Sequence, residues 1–203
     1  MPSEHSILNH EVEKTYLHEV EKPSKRGNTK VYDDSCENLP DYVDWRERGA
    51  VTEVRDQGKC QADYPYIAQD GTCKDNASNV VSIDNFKVLD GSEKALLCSV
   101  SKQPVSARLD ASYIYDLYHN GIYDGLYCSA DSKFTNHSVL IVGYGSVDGV
   151  DYWIVKNSWG KKWGKDGYLY LRRNVISQWP YGVCGINTAA GYPIKHVSSS
   201  LST

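Results

Sequence analysis

The chain has 203 residues, of which 40% are hydrophobic, and this size suits one domain or two small ones with a core of ordinary size. The formal net charge is -4 and the sequence holds no basic block, which argues against nucleic acid as a partner. The longest apolar runs, such as residues 139–142, fall far short of the roughly 20 residues that a membrane-spanning helix needs. The first residues carry charges and histidines where a secretory signal peptide has an apolar core, so neither a signal peptide nor a membrane span is expected.

Residues 1–38 form a polar leader rich in lysine and glutamate, with a linker-like segment at 23–28. Such a composition is typical of a disordered, charged leader. The remainder, residues 39–203, carries the apolar patterns of a folded domain. The sequence therefore predicts a domain boundary close to residue 38.

Apolar periodicity and turn residues divide this domain into short elements. Ser92 offers the N-cap of a helix over 93–101, which Pro104 prevents from continuing. The tyrosine-rich stretch 113–119 predicts a short turn or helix. Strands are predicted over residues 80–89, 105–109, 139–142, 152–155 and 168–172, and the segment 181–186 closes the series.

Two polar side chains stand at the ends of neighbouring predicted strands. His137 lies at the start of one strand and Asn157 follows the end of the next, while Asp148-Gly149 between them predicts a hairpin turn. Pairing of the two strands would bring the imidazole and the amide side by side. A neutral amide that accepts a ring N–H fixes the tautomer and leaves the other ring nitrogen facing a substrate or a thiol. Trp159 and Trp163 could shield that amide.

The order of three motifs resembles the papain-like cysteine peptidases. Residues 44–60, DWRERGAVTEVRDQGKC, are similar to the start of a mature chain of that family and contain Gln57, and His137 and Asn157 follow in the family's order. The resemblance extends from about residue 39 to 196 with one large interruption. It implies that Gln57 helps to stabilise an oxyanion, that His137 shuttles a proton, and that Asn157 orients the imidazole.

The resemblance also carries expectations for fold and location. It implies an α+β, papain-like fold, residues 1–38 as a propeptide remnant, and a disulfide between Cys128 and Cys184. The family folds in oxidising compartments, so a lysosomal, vacuolar or extracellular location is implied. The pairing of the other four cysteines, Cys36, Cys60, Cys73 and Cys98, stays open, although Cys98 suits a buried position in the helix.

The nucleophile of the family has no counterpart in this sequence. There it lies three residues after a first cysteine, in the pattern C-G-[SA]-C-[WY], whereas Cys60 is followed by Gln-Ala-Asp-Tyr. His137 follows Cys60 by 77 residues, against about 130 to 150 residues from nucleophile to histidine in the family. A segment of roughly 55 to 75 residues is therefore predicted to be missing after Cys60. The β-rich half would be retained and the helical half largely deleted.

This deficit leaves three hypotheses for the function. The chain is a cysteine endopeptidase by lineage that is inactive as written because the catalytic cysteine is missing. Alternatively, it is a non-catalytic pseudopeptidase that binds peptides or inhibitors, or an unstable product of mis-splicing. The expected partner is a polypeptide substrate or a peptide-like inhibitor, and the expected state is a monomer with no cofactor and no metal.

The resemblance assigns some binding residues. Trp159 and Trp163 match aromatic residues on the leaving-group side, although plain core packing would explain both equally well. Asn136 adjoins the expected cleft. Arg108 occupies a position where the family has a small or apolar side chain in the pocket for the second residue before the scissile bond, so the usual apolar preference is in doubt. His119 is expected to be an ordinary surface histidine.

Overall fold

An antiparallel sheet organises the structure. The computed structural model describes residues 36–54, 83–175 and 181–195. In these ranges the strands are β1 (Val43–Asp44), β2 (Asn85–Val88), β3 (Val105–Leu109), β4 (His137–Val147), β5 (Val150–Lys156), β6 (Tyr168–Arg172) and β7 (Ala190–Ile194), and the α-helices are α1 (Glu93–Lys102) and α2 (Ile114–Leu117). The strand order is β2-β7-β3-β4-β5-β6, and β1 pairs with β4.

Several predictions fall on other parts of the chain. Gln57, Cys60 and Cys73 lie outside the described residues, as do residues 1–35 of the predicted leader. The boundary near residue 38 accordingly stays a prediction. The described residues all fall within one compact unit, Cys36–Thr203.

The predicted hairpin joins β4 to β5. Val147 pairs with Val150, so the turn consists of only two residues. Both have positive φ, 51° at Asp148 and 75° at Gly149, as a type I′ turn requires. This turn matches the twist of the flanking strands, and the prediction is confirmed.

Helix α1 covers one face of the sheet. The Ser92 side chain accepts a hydrogen bond from the Ala95 N–H at 3.1 Å, which supplies the predicted N-cap. Leu96 and Val100 are buried, and the helix packs against β3 and β4. Its apolar face therefore closes the core beneath the strands that lead to His137.

The sequence missed strand β7. Glycine and proline are rare in strands, and AGYPI contains both. Pro193 pairs with Phe86 of β2, whereas the pairing of β7 with β3 stops at Gly191, so the absent proline N–H costs no bond to β3. The segment 181–186, in contrast, is not a strand but contains a 3-10 turn, Val183–Gly185, in which Cys184 has a φ of 55°.

Two disulfides cross-link the described residues. One joins Cys128 to Cys184, the pair that the resemblance implied. The other joins Cys36 to Cys98, across a sequence separation of 62, and ties the start of the unit to α1. Cys98 is buried in the helix as expected, but its partner was not foreseen.

Candidate active site

The β4–β5 hairpin brings His137 and Asn157 together. His137 is the first residue of β4 and Asn157 directly follows the last residue of β5. Because the strands are antiparallel, with Leu140 opposite Lys156, the start of one lies beside the end of the other. The His137 Nε2 atom is 2.8 Å from the Asn157 Oδ1 atom.

The backbone identifies the tautomer of the imidazole. The Ser158 N–H donates to the same Asn157 Oδ1 atom at 2.8 Å, and a backbone N–H can only donate. That side-chain atom must therefore be the amide oxygen, which can only accept. It follows that Nε2 carries a proton, and that the neutral ring has its lone pair on Nδ1. Asn157 is 6% exposed, so water competes little for this bond.

Tryptophan side chains enclose the pair. The Trp159 ring stacks on the His137 ring, with centroids 4.6 Å apart and an interplanar angle of 23°. Trp163 meets Trp159 edge-on at 4.7 Å, and its Nε1–H donates to the Tyr115 carbonyl at 3.1 Å. The indole stack thereby fixes the plane of the imidazole, while Asn157 fixes its rotation.

Burial tunes the charge of the imidazole. Desolvation lowers the pKa of His137 below its ordinary value, and the hydrogen bond to Asn157 offsets part of this effect. The ring is consequently neutral at pH 7. A neutral ring with its lone pair on Nδ1 can act as a base or as a nucleophile.

A cavity of about 460 Å³ adjoins Trp159. Its lining consists of three aromatic residues and four other residues, namely Tyr115, Trp159, Trp163, Asp116, His119, Lys162 and Gly164. The sequence predicts that His119 is an ordinary surface histidine. It is indeed exposed, but it also lines this cavity.

Known proteins share this chain's sequence pattern and fold. The family described as "Papain family cysteine protease" matches residues 61–194. The chain belongs to this papain family. "P34 probable thiol protease" of Glycine max is 33% identical over 96% of this chain and 70% of its own length, and "Vignain" of Vigna mungo is 33% identical over 96% and 72%. The bromelain protease from Ananas comosus, solved with the E64 inhibitor, superposes with a TM-score of 0.69 at 28% identity, covering 78% of this chain and 100% of bromelain.

The papain-like fold is thus established, with the β-rich half retained. The alignments with the Glycine max and Vigna mungo proteins extend over 270 and 267 residues, whereas this chain has 203. The Glycine max protein must therefore contribute at least 67 residues, and the Vigna mungo protein at least 64, that have no counterpart here. These residues fall inside the aligned region, so the difference is internal to the chain.

Two other predicted site residues lie beside His137. The Asn136 side chain accepts a hydrogen bond from the Ala111 N–H at 2.8 Å and donates to the Ser112 Oγ at 3.0 Å. The Arg108 guanidinium on β3 donates to the Thr135 carbonyl at 3.1 Å. Both side chains therefore hold the loop that leads into His137, a positioning contribution that the sequence did not reveal.

The four cysteines of the described ranges are all disulfide-bonded, namely Cys36, Cys98, Cys128 and Cys184. None of these four can supply a thiolate while oxidised. Cys60 and Cys73 lie outside the described residues. Within the described part of the chain, the imidazole and its orienting amide are therefore assembled without a thiol.

Proposed function

We propose that this chain is a papain-family protein that has lost peptide hydrolysis and keeps the proton relay of its lineage. This proposal depends on one observation, namely that part of the catalytic apparatus is assembled while another part is missing. The His137–Asn157 pair is assembled at 2.8 Å, whereas the sequence after Cys60 lacks the motif that bears the nucleophile. The unmatched 67 and 64 residues of the relatives support an internal deletion of the predicted size.

Loss of the thiol removes the acyl-enzyme route. The relay moves a proton from the nucleophile to the leaving group, and it has nothing to activate when the nucleophile is gone. In serine proteases the groups that remain after loss of the triad accelerate hydrolysis only about 10³- to 10⁴-fold over water. Peptide bonds hydrolyse so slowly in water that this remaining rate acceleration would give negligible cleavage.

We expect no thiol-dependent cleavage of a generic fluorogenic peptide by the full chain. The assay is run with reductant, with and without iodoacetamide, and papain serves as the positive control. The matched variant is Cys60→Ala, because Cys60 lies three residues after Gln57 and is the nearest substitute nucleophile in sequence. Turnover that either treatment abolishes would contradict the loss of peptide hydrolysis.

Peptide-like molecules are the proposed ligands of the remaining surface. The cavity beside Trp159 has a volume within the usual range for small-molecule sites, and aromatic walls favour apolar side chains. Gln57, Arg108 and Asn136 are the further residues that the family resemblance assigns to the cleft. The bromelain structure with E64 supports a peptide-like ligand for a member of this fold.

Binding of E64 without covalent attachment is the expected result. Titration calorimetry should show that Trp159→Ala weakens binding at least about 10-fold, because it removes an aromatic wall of the site. The matched control is Val147→Ala, an exposed residue at the opposite end of β4, which should leave the affinity unchanged. Equal affinities for both variants would exclude the Trp159 surface as the site.

The third hypothesis, an unstable product of mis-splicing, predicts no cooperative unfolding. A thermal melt followed by circular dichroism separates it from a folded pseudopeptidase. Full-length transcript sequencing would show whether the missing segment exists in the natural product.

The two disulfides support a lysosomal, vacuolar or extracellular location, since such bonds persist in oxidising compartments. A monomer remains the proposed state.

A further inference from the structure

One ring nitrogen of His137, Nδ1, is not used in the hydrogen bond to Asn157. The Nε2–H of His137 is held by Asn157, which directs the ring's lone pair to Nδ1. In the described residues, Nδ1 has no hydrogen-bond partner. It is also absent from the buried, unpartnered polar atoms of that part of the chain, which are Trp153 Nε1, Arg173 Nε and Asn187 Oδ1. Nδ1 is therefore not sealed within the core.

We propose that His137 Nδ1 is itself a nucleophile, and that the site hydrolyses carboxylic esters with an aryl leaving group. This inference rests on the proposed function in one respect, namely that no thiol competes for the acyl group. Nucleophilic attack by imidazole is productive only when the leaving group is at most a few pKa units more basic than imidazole, because otherwise the tetrahedral adduct expels imidazole again. Aryl esters such as p-nitrophenyl esters meet that condition, whereas peptide bonds do not.

The reaction balances in two steps. In the first, the Nδ1 lone pair forms a bond to the ester carbonyl carbon, and the carbon–oxygen bond breaks with its electron pair leaving on the aryloxide. In the second, water attacks the acyl carbon, the acyl–nitrogen bond breaks, and its electron pair returns to Nδ1. The carboxylic acid is released, and the proton from water passes to solvent or to the aryloxide.

Asn157 assists the second step. The acylated ring is cationic as long as Nε2 keeps its proton. An amide oxygen accepts the hydrogen bond from Nε2–H but is far too weak a base to remove that proton. The acyl-imidazolium consequently stays charged and electrophilic, which favours attack by water.

The surroundings of the ring favour an aryl ester. Trp159 connects the two sites, since it stacks on His137 with ring centroids 4.6 Å apart and also lines the cavity, whereas His137 itself does not line it. Tyr115 packs edge-on against Trp159 at 5.3 Å, so an aromatic group in the cavity would meet aromatic walls. The titratable groups that line the cavity are Tyr115, Asp116, His119 and Lys162.

The test uses p-nitrophenyl acetate and the full chain after treatment with iodoacetamide. We expect saturable release of p-nitrophenolate, and at least a 10-fold loss in His137→Gln. Glutamine can still donate to Asn157 but has no nucleophilic nitrogen. The matched control is His196→Gln, which removes a histidine far from the relay residues in sequence and should leave turnover unchanged.

The pH profile distinguishes an oriented imidazole from an ordinary one. Because burial lowers the pKa of His137, the neutral and reactive ring persists to lower pH, and the midpoint of the rate profile should lie below about 6.5. Asn157→Asp provides a carboxylate that accepts the same hydrogen bonds and raises the pKa of the imidazole. The midpoint should then move upward by about one pH unit or more.

A second measurement needs no variant. Diethyl pyrocarbonate should modify His137 in the native chain, and ester turnover should disappear in parallel. The tryptic peptide of residues 134–156 contains His137 and no other histidine, so mass spectrometry can follow this site alone. Turnover that survives full modification at His137 would overturn the inference.

The remaining outcomes separate the two proposals. Absence of both peptide and ester turnover would overturn the esterase inference and leave the proposed function intact. Ester turnover that iodoacetamide or Cys60→Ala abolishes would overturn the esterase inference, because a thiol would then be the nucleophile, whereas only thiol-dependent peptide cleavage would overturn the proposed function. Turnover lost in His119→Ala but retained in His137→Gln would overturn the esterase assignment alone.

Discussion

Replacing Cys184 with serine is expected to lower the free energy of unfolding by about 4 kcal/mol in oxidising buffer. The Cys128–Cys184 disulfide closes a sequence separation of 56, and a loop of that length restricts the unfolded chain strongly. Cys184 is also fully buried, so the serine hydroxyl would be placed in the core. Urea unfolding followed by tryptophan fluorescence measures the difference.

The matched control is Cys128→Ser, which removes the same cross-link from its more accessible end. Both variants should unfold at similar urea concentrations. When the disulfides of wild type and variant are reduced, the difference between their free energies of unfolding should fall to about 1 kcal/mol, since only the side-chain exchange then remains. An unchanged midpoint for Cys184→Ser in oxidising buffer would mean that the cross-link does not stabilise the fold.

Replacing Gly143 with alanine is expected to lower the free energy of unfolding by about 3 to 5 kcal/mol. A Cβ at Gly143 would lie only 2.1 Å from the Val43 carbonyl oxygen, so strand β1 could not stay beside β4. The fully buried Val43 side chain would leave the core with its strand. The hydrogen bond from the Trp45 N–H to the Val142 carbonyl, at 2.9 Å, would also be lost.

Gly149→Ala separates this clash from backbone strain. Gly149 has a φ of 75° in the β4–β5 turn, but a Cβ there would meet no atom within 4 Å. Its cost should therefore be about 1 to 2 kcal/mol, the penalty of the left-handed conformation alone. Equal losses for Gly143→Ala and Gly149→Ala, measured by urea unfolding, would show that β1 can move aside without cost.

The elements foreseen correctly depend on local chemistry. The strands at 105–109 and 168–172 match β3 and β6 to the residue, because alternate apolar residues of each, Ala107 and Leu109 or Leu169 and Leu171, are buried in the main core. Helix α1 begins at Glu93, after the Ser92 cap, and it ends at Lys102, one residue later than predicted. In each case the deciding interaction lies within a few residues.

Strand β7 depends instead on partners that are far away in sequence. Gly191 suits the strand because a Cβ there would lie 2.7 Å from the Lys87 carbonyl oxygen. A lone segment with glycine and proline gives no hint of that close approach. The short strand β2 likewise depends on its pairing with β7, and among the described residues 83–89 of the predicted strand it comprises Asn85–Val88.

The candidate site also has one part that local sequence predicts and another that depends on residues distant in sequence. The pairing of His137 with Asn157 was predictable because a two-residue turn joins their strands and fixes the register. The cavity was not, because Tyr115 and His119 follow β3 whereas Lys162 follows β5, and no local pattern links the two loops. The Cys36–Cys98 bond was unforeseen for the same reason, since it joins residues 62 apart.

The sequence by itself determined the family, the order of the relay residues and the absence of the nucleophile motif, because these are properties of residue identity and spacing. Only the tertiary structure decided how the remaining groups meet. The oxygen of Asn157, shared by Ser158 and His137, fixes the tautomer, and the Trp159 stack fixes the ring plane. Both depend on contacts across the hairpin, and a distance between side chains exists only after the strands have paired.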